Sequence, residues 1–197
     1  MTCLSDPSFF YKTLTEQIGE KILNLLSSGE KKHSEYCAWH YPFKIDTDEK
    51  IIQWGYEVKR FSDNTDLGWD IYATAGPDSS CEPTIELNIF LNKGQWVKKH
   101  TIDRSVLFGV IAHEIHHIAQ GPDLDDITCA EGQVDYFLDP REQEAFHIGF
   151  RAQSYYSGDT ISDCIKDYLA PRVSLGILTT QDAQNILDKW LTVDWSC

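Results

Sequence analysis

The chain has 197 residues and a formal net charge of −14 at pH 7, and 42% of its residues are hydrophobic and 12% aromatic. This length and composition exclude a disordered chain and predict one domain, over residues 1–197, with a sizeable core. The negative charge repels nucleic acid and anionic membranes, so we expect neither a nucleic-acid nor a membrane partner. No apolar stretch reaches the roughly 18 residues that a transmembrane helix needs.

The amino-terminal residues, 1–7, have neither the basic region nor the apolar run of a signal peptide. We therefore expect a cytoplasmic protein, and secretion by a route without an amino-terminal signal stays open. The six cysteines are widely separated and form no C-x-x-C pair. This spacing argues against a structural zinc site built from cysteines. The expected absence of export predicts reduced thiols.

The predicted elements begin with an amphipathic helix over residues 8–28, in which apolar side chains recur at helical spacing. Strand composition marks residues 51–61, 69–75 and 84–91, and turn formers separate the first two. Two further helical patterns, over 161–169 and 181–191, predict carboxy-terminal helices within residues 159–191 that cover the core.

Residues 113–117 carry the motif H-E-x-x-H. On a helix, His113 and His117 project from one face with Cβ atoms about 6 Å apart, so both imidazoles can reach one Zn²⁺. Glu114 lies about 100° further round, where its carboxylate can hold a metal-bound water instead of the metal. The motif therefore predicts two zinc ligands and the general base of a zinc-dependent peptide hydrolase.

The motif has the context of a helix. Thr101 and Asp103 are candidate N-caps, the residues before the motif are apolar almost all round, and Gly-Pro at 121–122 is a stop signal. These features predict a buried central helix over about residues 102–120. The alternative is a core helix whose histidines have only structural partners. His116 lies off the ligand face and is expected to pack or to form hydrogen bonds nearby.

A catalytic zinc site needs a third protein ligand, and three residues are candidates. Asp123 stands where metzincins place a histidine, but Gln120 replaces the glycine of that layout. Glu142 and Glu144 lie in the first turn of a second predicted helix, which Asp139 caps. Glu142 shares its helical face with small and apolar residues, so this face can pack on the first helix, whereas Glu144 is expected to point to the opposite side.

The combination of His113-Glu114-x-x-His117 with Glu142-x-x-Ala145 resembles the compact gluzincin metallopeptidases of the zincin superfamily, over about residues 84–157. The resemblance implies an α+β, zincin-like fold. In such a fold a small mixed or antiparallel sheet packs on the active-site helix, and a Glu-bearing helix and carboxy-terminal helices follow. It also implies one catalytic Zn²⁺ bound by His113, His117 and Glu142, with Glu114 as the catalytic base.

The resemblance further implies that residues 86–91 form a strand that holds extended substrate by backbone pairing. Many relatives have Asp or Asn after the alanine of the second motif to support a zinc-binding histidine, whereas this chain has Phe146. The donor that stabilises the oxyanion is left open among four residues: His147, Tyr136, Tyr155 and Tyr156. The competing function is a non-catalytic regulatory or binding protein that retains the metal site.

Overall fold

The computed structural model describes the backbone of residues 7–27, 39–45, 48–60, 69–77, 83–91, 103–121 and 134–192, and the side chains within 11–24, 103–121 and 134–192. In these ranges the helices are α1 (Pro7–Ser27), α2 (Arg104–Gln120), α3 (Val134–Leu138), α4 (Pro140–Ser157), α5 (Ile161–Ser174) and α6 (Thr180–Thr192). The strands, described by backbone alone, are β1 (Trp39–Ile45), β2 (Asp48–Arg60), β3 (Trp69–Pro77) and β4 (Pro83–Leu91).

The strands pair in the order β1-β2-β4-β3. β1 is antiparallel to β2 and β3 is antiparallel to β4, whereas β2 and β4 run parallel. β2, β3 and β4 lie on the three segments with strand composition, and β1 was not predicted. Glu86 of β4 is paired with Gly55 on one side and with Thr74 on the other. The interpretation of residues 86–91 as a substrate-binding strand is therefore wrong, because both edges of β4 are already paired.

The predicted α+β class placed a sheet on the active-site helix, as a frame for the site. This prediction is wrong for the ranges in which side chains are described. Those ranges are 88% helical and contain no strand. The described side chains at the candidate site come from helices, because α2 packs mainly on α4 and α1, and α4 also packs on α5. Of the strands, β3 comes close to α2.

The predicted helix over 102–120 is confirmed as α2. Asp103 is its N-cap, and its carboxylate accepts a hydrogen bond from the backbone N–H of Ser105 at 2.8 Å. Gly121 ends the helix with a φ of 83°, and its N–H donates to the carbonyl of Ile118. The apolar residues in the middle of α2 are fully buried: Leu107, Phe108, Ile111 and Ile115. This burial fixes the rotation of α2, and with it the direction of the histidines.

The crossing of α2 and α4 is close because two glycines face each other there. A Cβ atom on Gly149 would lie 2.9 Å from the carbonyl oxygen of Gly109 and 3.2 Å from the Cβ of His113. Contacts this short leave no room for a larger residue at Gly149. The small face predicted for α4 therefore allows the two helix backbones to meet beside His113.

An adjoining face of α4 packs on an aromatic core shared with α3, α5 and α6. Phe146 and Phe150 of α4 lie beside Trp190 of α6, with ring centroids 4.9 and 5.6 Å from the Trp190 ring. The indole N–H of Trp190 donates to the carbonyl of Phe137 in α3 at 2.8 Å. The predicted carboxy-terminal helices are confirmed as α5 and α6, and α4 lies between them and α2. Among the described helices, none is long and apolar enough to cross a membrane.

Candidate metal centre

The last two turns of α2 place the imidazoles of His113 and His117 side by side. Their Nε2 atoms are 2.9 Å apart, and their ring centroids are 4.6 Å apart. This is the arrangement expected for residues four apart on one helical face. His113 is buried, and His117 is partly exposed at the edge of the cluster.

The first turn of α4 brings the carboxylate of Glu142 to the same point. Glu142 Oε2 lies 3.5 Å from Nε2 of His113, and Oε1 lies 3.4 Å from Nε2 of His117. The N-cap of α4 explains this placement of Glu142. The carboxylate of Asp139 accepts hydrogen bonds from the backbone N–H groups of Arg141 and Glu142, so the helix begins at this position. The three predicted ligands therefore converge from two helices.

The electrostatics of the cluster favour a bound cation. Burial alone would raise the pKa of Glu142, but its contacts with His113 and His117 outweigh this and lower the pKa to about 2. Burial lowers the pKa of His113. Burial also lowers the pKa of His117, but the hydrogen bond and charge of Glu142 outweigh it, so the net shift is upward. Glu142 is thus an anion held between two imidazoles in a poorly hydrated place.

The donor set has the chemistry of a site for one metal ion. Glu142 Oε2 is buried and has no hydrogen-bond partner among the described residues. A buried carboxylate oxygen without a partner is costly, and a cation would relieve that cost. Donors bound to one tetrahedral Zn²⁺ at about 2.0–2.1 Å lie roughly 3.3 Å apart. The two Nε2 atoms are 2.9 Å apart and lie 3.5 and 3.4 Å from different oxygens of Glu142. With one donor atom from each residue, the three atoms lie within 4.8 Å of one another. A buried group of His113, His117 and Glu142 could therefore hold a metal ion.

Glu114 lies beside the cluster without belonging to its three donors. Its side chain is buried, and its Oε1 is 4.0 Å from Nε2 of His113. A carboxylate at this distance is within one water molecule of the point where the three donors meet. The structure thus brings Glu114 beside the three predicted ligands, and its role as a general base stays a prediction.

Gln120 contacts the cluster although its position in the sequence predicted no role beyond breaking the metzincin spacing. In the structure, the amide oxygen of Gln120 accepts from Nδ1 of His117 at 3.0 Å. The amide nitrogen donates to the carbonyl of Arg141 at 3.0 Å and to Oε2 of Glu144 at 3.1 Å. The H-E-x-x-H motif ends three residues earlier, so the only available signal was that Gln120 lies near His117 on the same helical face.

The direction predicted for Glu144 is wrong. Its exposed carboxylate does not point away from α2 but reaches Gln120 and comes within 3.7 Å of Nε2 of His116. Glu144 stays outside the three-donor group because the cluster is filled by Glu142. His116 points to the neighbouring face, where its Nδ1 lies 3.4 Å from the hydroxyl of Tyr11, as expected for a residue off the ligand face. Asp123, the remaining candidate ligand, lies outside the described residues.

Two of the four candidate oxyanion donors lie away from the cluster. Tyr155 and Tyr156 are more than three turns beyond Glu142 on α4, about 20 Å along its axis. The hydroxyl of Tyr156 donates to Glu16 of α1, and that of Tyr155 accepts from Lys12. The structure therefore removes both from the site.

The other two candidates, Tyr136 and His147, lie nearer to the cluster. The ring of Tyr136 packs against Phe146, with centroids 6.2 Å apart. The ring centroids of Phe146 and His113 are 4.5 Å apart. Phe146, which stands where the resemblance implies Asp or Asn, therefore supports His113 by an aromatic contact. His147 is buried, and burial together with the charges of Arg151 and His116 lowers its pKa to about 3. His147 is thus neutral at neutral pH.

The chain matches no model of a known protein family, and comparison with curated proteins and with solved structures gave no significant match. The resemblance to gluzincins accordingly rests on the motif residues.

Proposed function

We propose that the protein is a zinc-dependent metallopeptidase in which His113, His117 and Glu142 bind one catalytic Zn²⁺ and Glu114 is the general base. The observation that carries this proposal is the convergence of two imidazoles and one carboxylate from two helices, with a second carboxylate alongside. One oxygen of the first carboxylate is buried and accepts no hydrogen bond from the described residues. A purely structural metal site would need only ligands, whereas Glu114 adds a group suited to proton transfer. Imidazole and carboxylate ligands suit zinc.

Each residue of the site has one task in this proposal. A bound zinc ion would act as a Lewis acid toward a water molecule and toward the scissile carbonyl of the peptide. Glu114 takes the proton of the attacking water and later passes it to the leaving amine. His113, His117 and Glu142 stay in place throughout, since the close packing of α2 on α4 holds them. A peptide is the favoured substrate because H-E-x-x-H with this division of roles is typical of peptide hydrolysis.

The test combines zinc stoichiometry with the Glu114→Gln variant. We expect the purified protein to bind one zinc ion and to hydrolyse an unstructured protein substrate, and we expect a chelator to abolish that hydrolysis. Glu114→Gln should keep the zinc, because Glu114 is not a ligand, and should lose hydrolysis by several orders of magnitude. The readouts are metal analysis and cleavage of a casein-like substrate.

Glu20→Gln is the matched control, since Glu20 pairs with Arg104 on the exposed side of α1 and lies outside the cluster. It should leave zinc content and hydrolysis unchanged. Full activity in Glu114→Gln would show that the assigned base is wrong. One bound zinc without any hydrolysis would instead support the alternative, a non-catalytic protein with a retained metal site.

A further inference from the structure

The amide of Gln120 has only one orientation that satisfies its neighbours. Its nitrogen faces two groups that can only accept, the carbonyl of Arg141 and the carboxylate of Glu144. If the amide were turned round, its oxygen would face these two acceptors and lose both hydrogen bonds. The oxygen of Gln120 therefore faces Nδ1 of His117, at 3.0 Å.

This orientation decides which nitrogen of His117 carries the proton. An amide oxygen accepts hydrogen bonds and cannot donate, so Nδ1 of His117 must be the donor. In the neutral imidazole the lone pair then lies on Nε2, since the hydrogen bond at one ring nitrogen sets the state of the other. Nε2 is the atom that faces Nε2 of His113 and Oε1 of Glu142.

Gln120 also joins the two helices where the site is assembled. It is the last residue of α2, and its amide reaches the backbone of α4 one residue before Glu142. A second bond across the same junction runs from the guanidinium of Arg141 to the carbonyl of Gly121, at 2.8 Å. The residue that orients His117 is thus tied directly to the turn that carries Glu142.

We propose that Gln120 is a positioning residue, aimed by Glu144 and the Arg141 carbonyl, that fixes His117 in the tautomer with its Nε2 lone pair directed at the metal centre. The Nδ1–H form follows from the 3.0 Å hydrogen bond to Gln120, which is shorter than the 3.4 Å contact between Nε2 and Oε1 of Glu142. Its effect on zinc affinity rests on the proposed metal site. Outer partners of this kind change metal affinity by about 10–100-fold when they are removed.

The experiment measures the tautomer of His117 by long-range ¹H–¹⁵N correlation in the metal-free protein, at a pH where the imidazole is neutral. It also measures the Kd for zinc by competition with a chelator. The wild type should show the Nδ1–H form. Gln120→Leu should shift His117 toward the Nε2–H form and weaken zinc binding by about 10–100-fold. Gln120→Glu keeps an acceptor for Nδ1 and should retain the Nδ1–H form.

Gln143→Leu is the matched control, because Gln143 also donates its amide to a backbone carbonyl, that of Leu138. It should leave the tautomer and the Kd within about twofold of the wild type, well short of the change expected for an outer partner. An Nε2–H tautomer in the wild type overturns the proposal even if Gln120→Leu does not fold. A Gln120→Leu protein with wild-type tautomer and Kd overturns it as well. Absence of zinc binding in the wild type would contradict the proposed function but leave the tautomer test intact.

Discussion

His147 shows how burial changes the chemistry of a single residue near the site. The pKa of His147 is about 3 in the folded protein and roughly 6.5 in an unfolded chain. Between these two pH values the imidazole is protonated in the unfolded chain and neutral in the folded protein. The stability that depends on neutral His147 is complete above the unfolded pKa and is lost as the pH falls toward the folded pKa. The residue therefore makes the folded protein sensitive to mild acid.

We predict that His147 alone lowers the free energy of unfolding by about 2 kcal/mol between pH 7 and pH 5. The check is urea unfolding of the wild type and of His147→Gln at both pH values, since their difference removes the contribution of the other titrating groups. His147→Gln should lose less stability on acidification than the wild type. Equal losses in the two proteins would show that His147 is not held neutral by burial.

For the individual residues of the site, the sequence was sufficient to predict the three converging side chains but not the contacts that surround them. His113 and His117 are related by local helical spacing, so their common face was predictable. The direction of Glu144 and the role of Gln120 depend on how α2 and α4 cross, which is a property of the tertiary packing. Gln120 contacts His117 within α2, but the acceptors that orient its amide, the Arg141 carbonyl and the Glu144 carboxylate, lie on α4.

The helices themselves were largely predictable because their signals are local. Asp103 and Asp139 cap α2 and α4, and Gly121 ends α2, as their positions in the sequence indicated. The fold class was not predictable from such local signals, because it depends on which elements cover the apolar faces of α2 and α4. The small residues on one face of α4 indicated that it packs on α2, and the facing glycines Gly109 and Gly149 confirm this. Which other elements surround the pair has no such local signal, because it depends on the tertiary arrangement of the whole chain.

The glycine crossing leads to a prediction for Gly149→Ala. Alanine is favoured over glycine in a helix by about 1 kcal/mol, but here its Cβ would press on the Gly109 carbonyl and on His113. We expect a net loss of stability of about 1–3 kcal/mol and weaker zinc binding, because α2 and α4 are pushed apart where Glu142 meets the histidines. Thermal unfolding and a zinc titration measure the two effects.

Gly158→Ala is the comparison for this variant. Gly158 ends α4 with a φ of 82°, and a Cβ there would meet nothing within 4 Å. Alanine at this left-handed position should cost about 1–2 kcal/mol without moving the helix crossing. Zinc affinity should therefore stay at the wild-type value. If Gly149→Ala bound zinc as tightly as Gly158→Ala, close approach of α2 and α4 would not be what assembles the site.

Elsewhere in the chain, the cysteines are the side chains that could compete with the cluster for a metal ion. The chain has six cysteines, and thiolates compete well for zinc. Within the described residues the one free cysteine is Cys164, which is buried in the aromatic core, and burial raises the pKa of its thiol. A raised pKa keeps the thiol protonated and makes it a poor ligand. The described part of the chain thus favours the cluster of His113, His117 and Glu142.

The most direct test of this account is X-ray absorption at the zinc edge of the protein loaded with one equivalent of zinc. The account predicts only nitrogen and oxygen neighbours at about 2.0–2.1 Å, with the outer-shell scattering of two imidazoles. Glu142→Ala should lose one oxygen neighbour or release the metal. A sulfur shell at about 2.3 Å, or no bound zinc at all, would contradict the central claim.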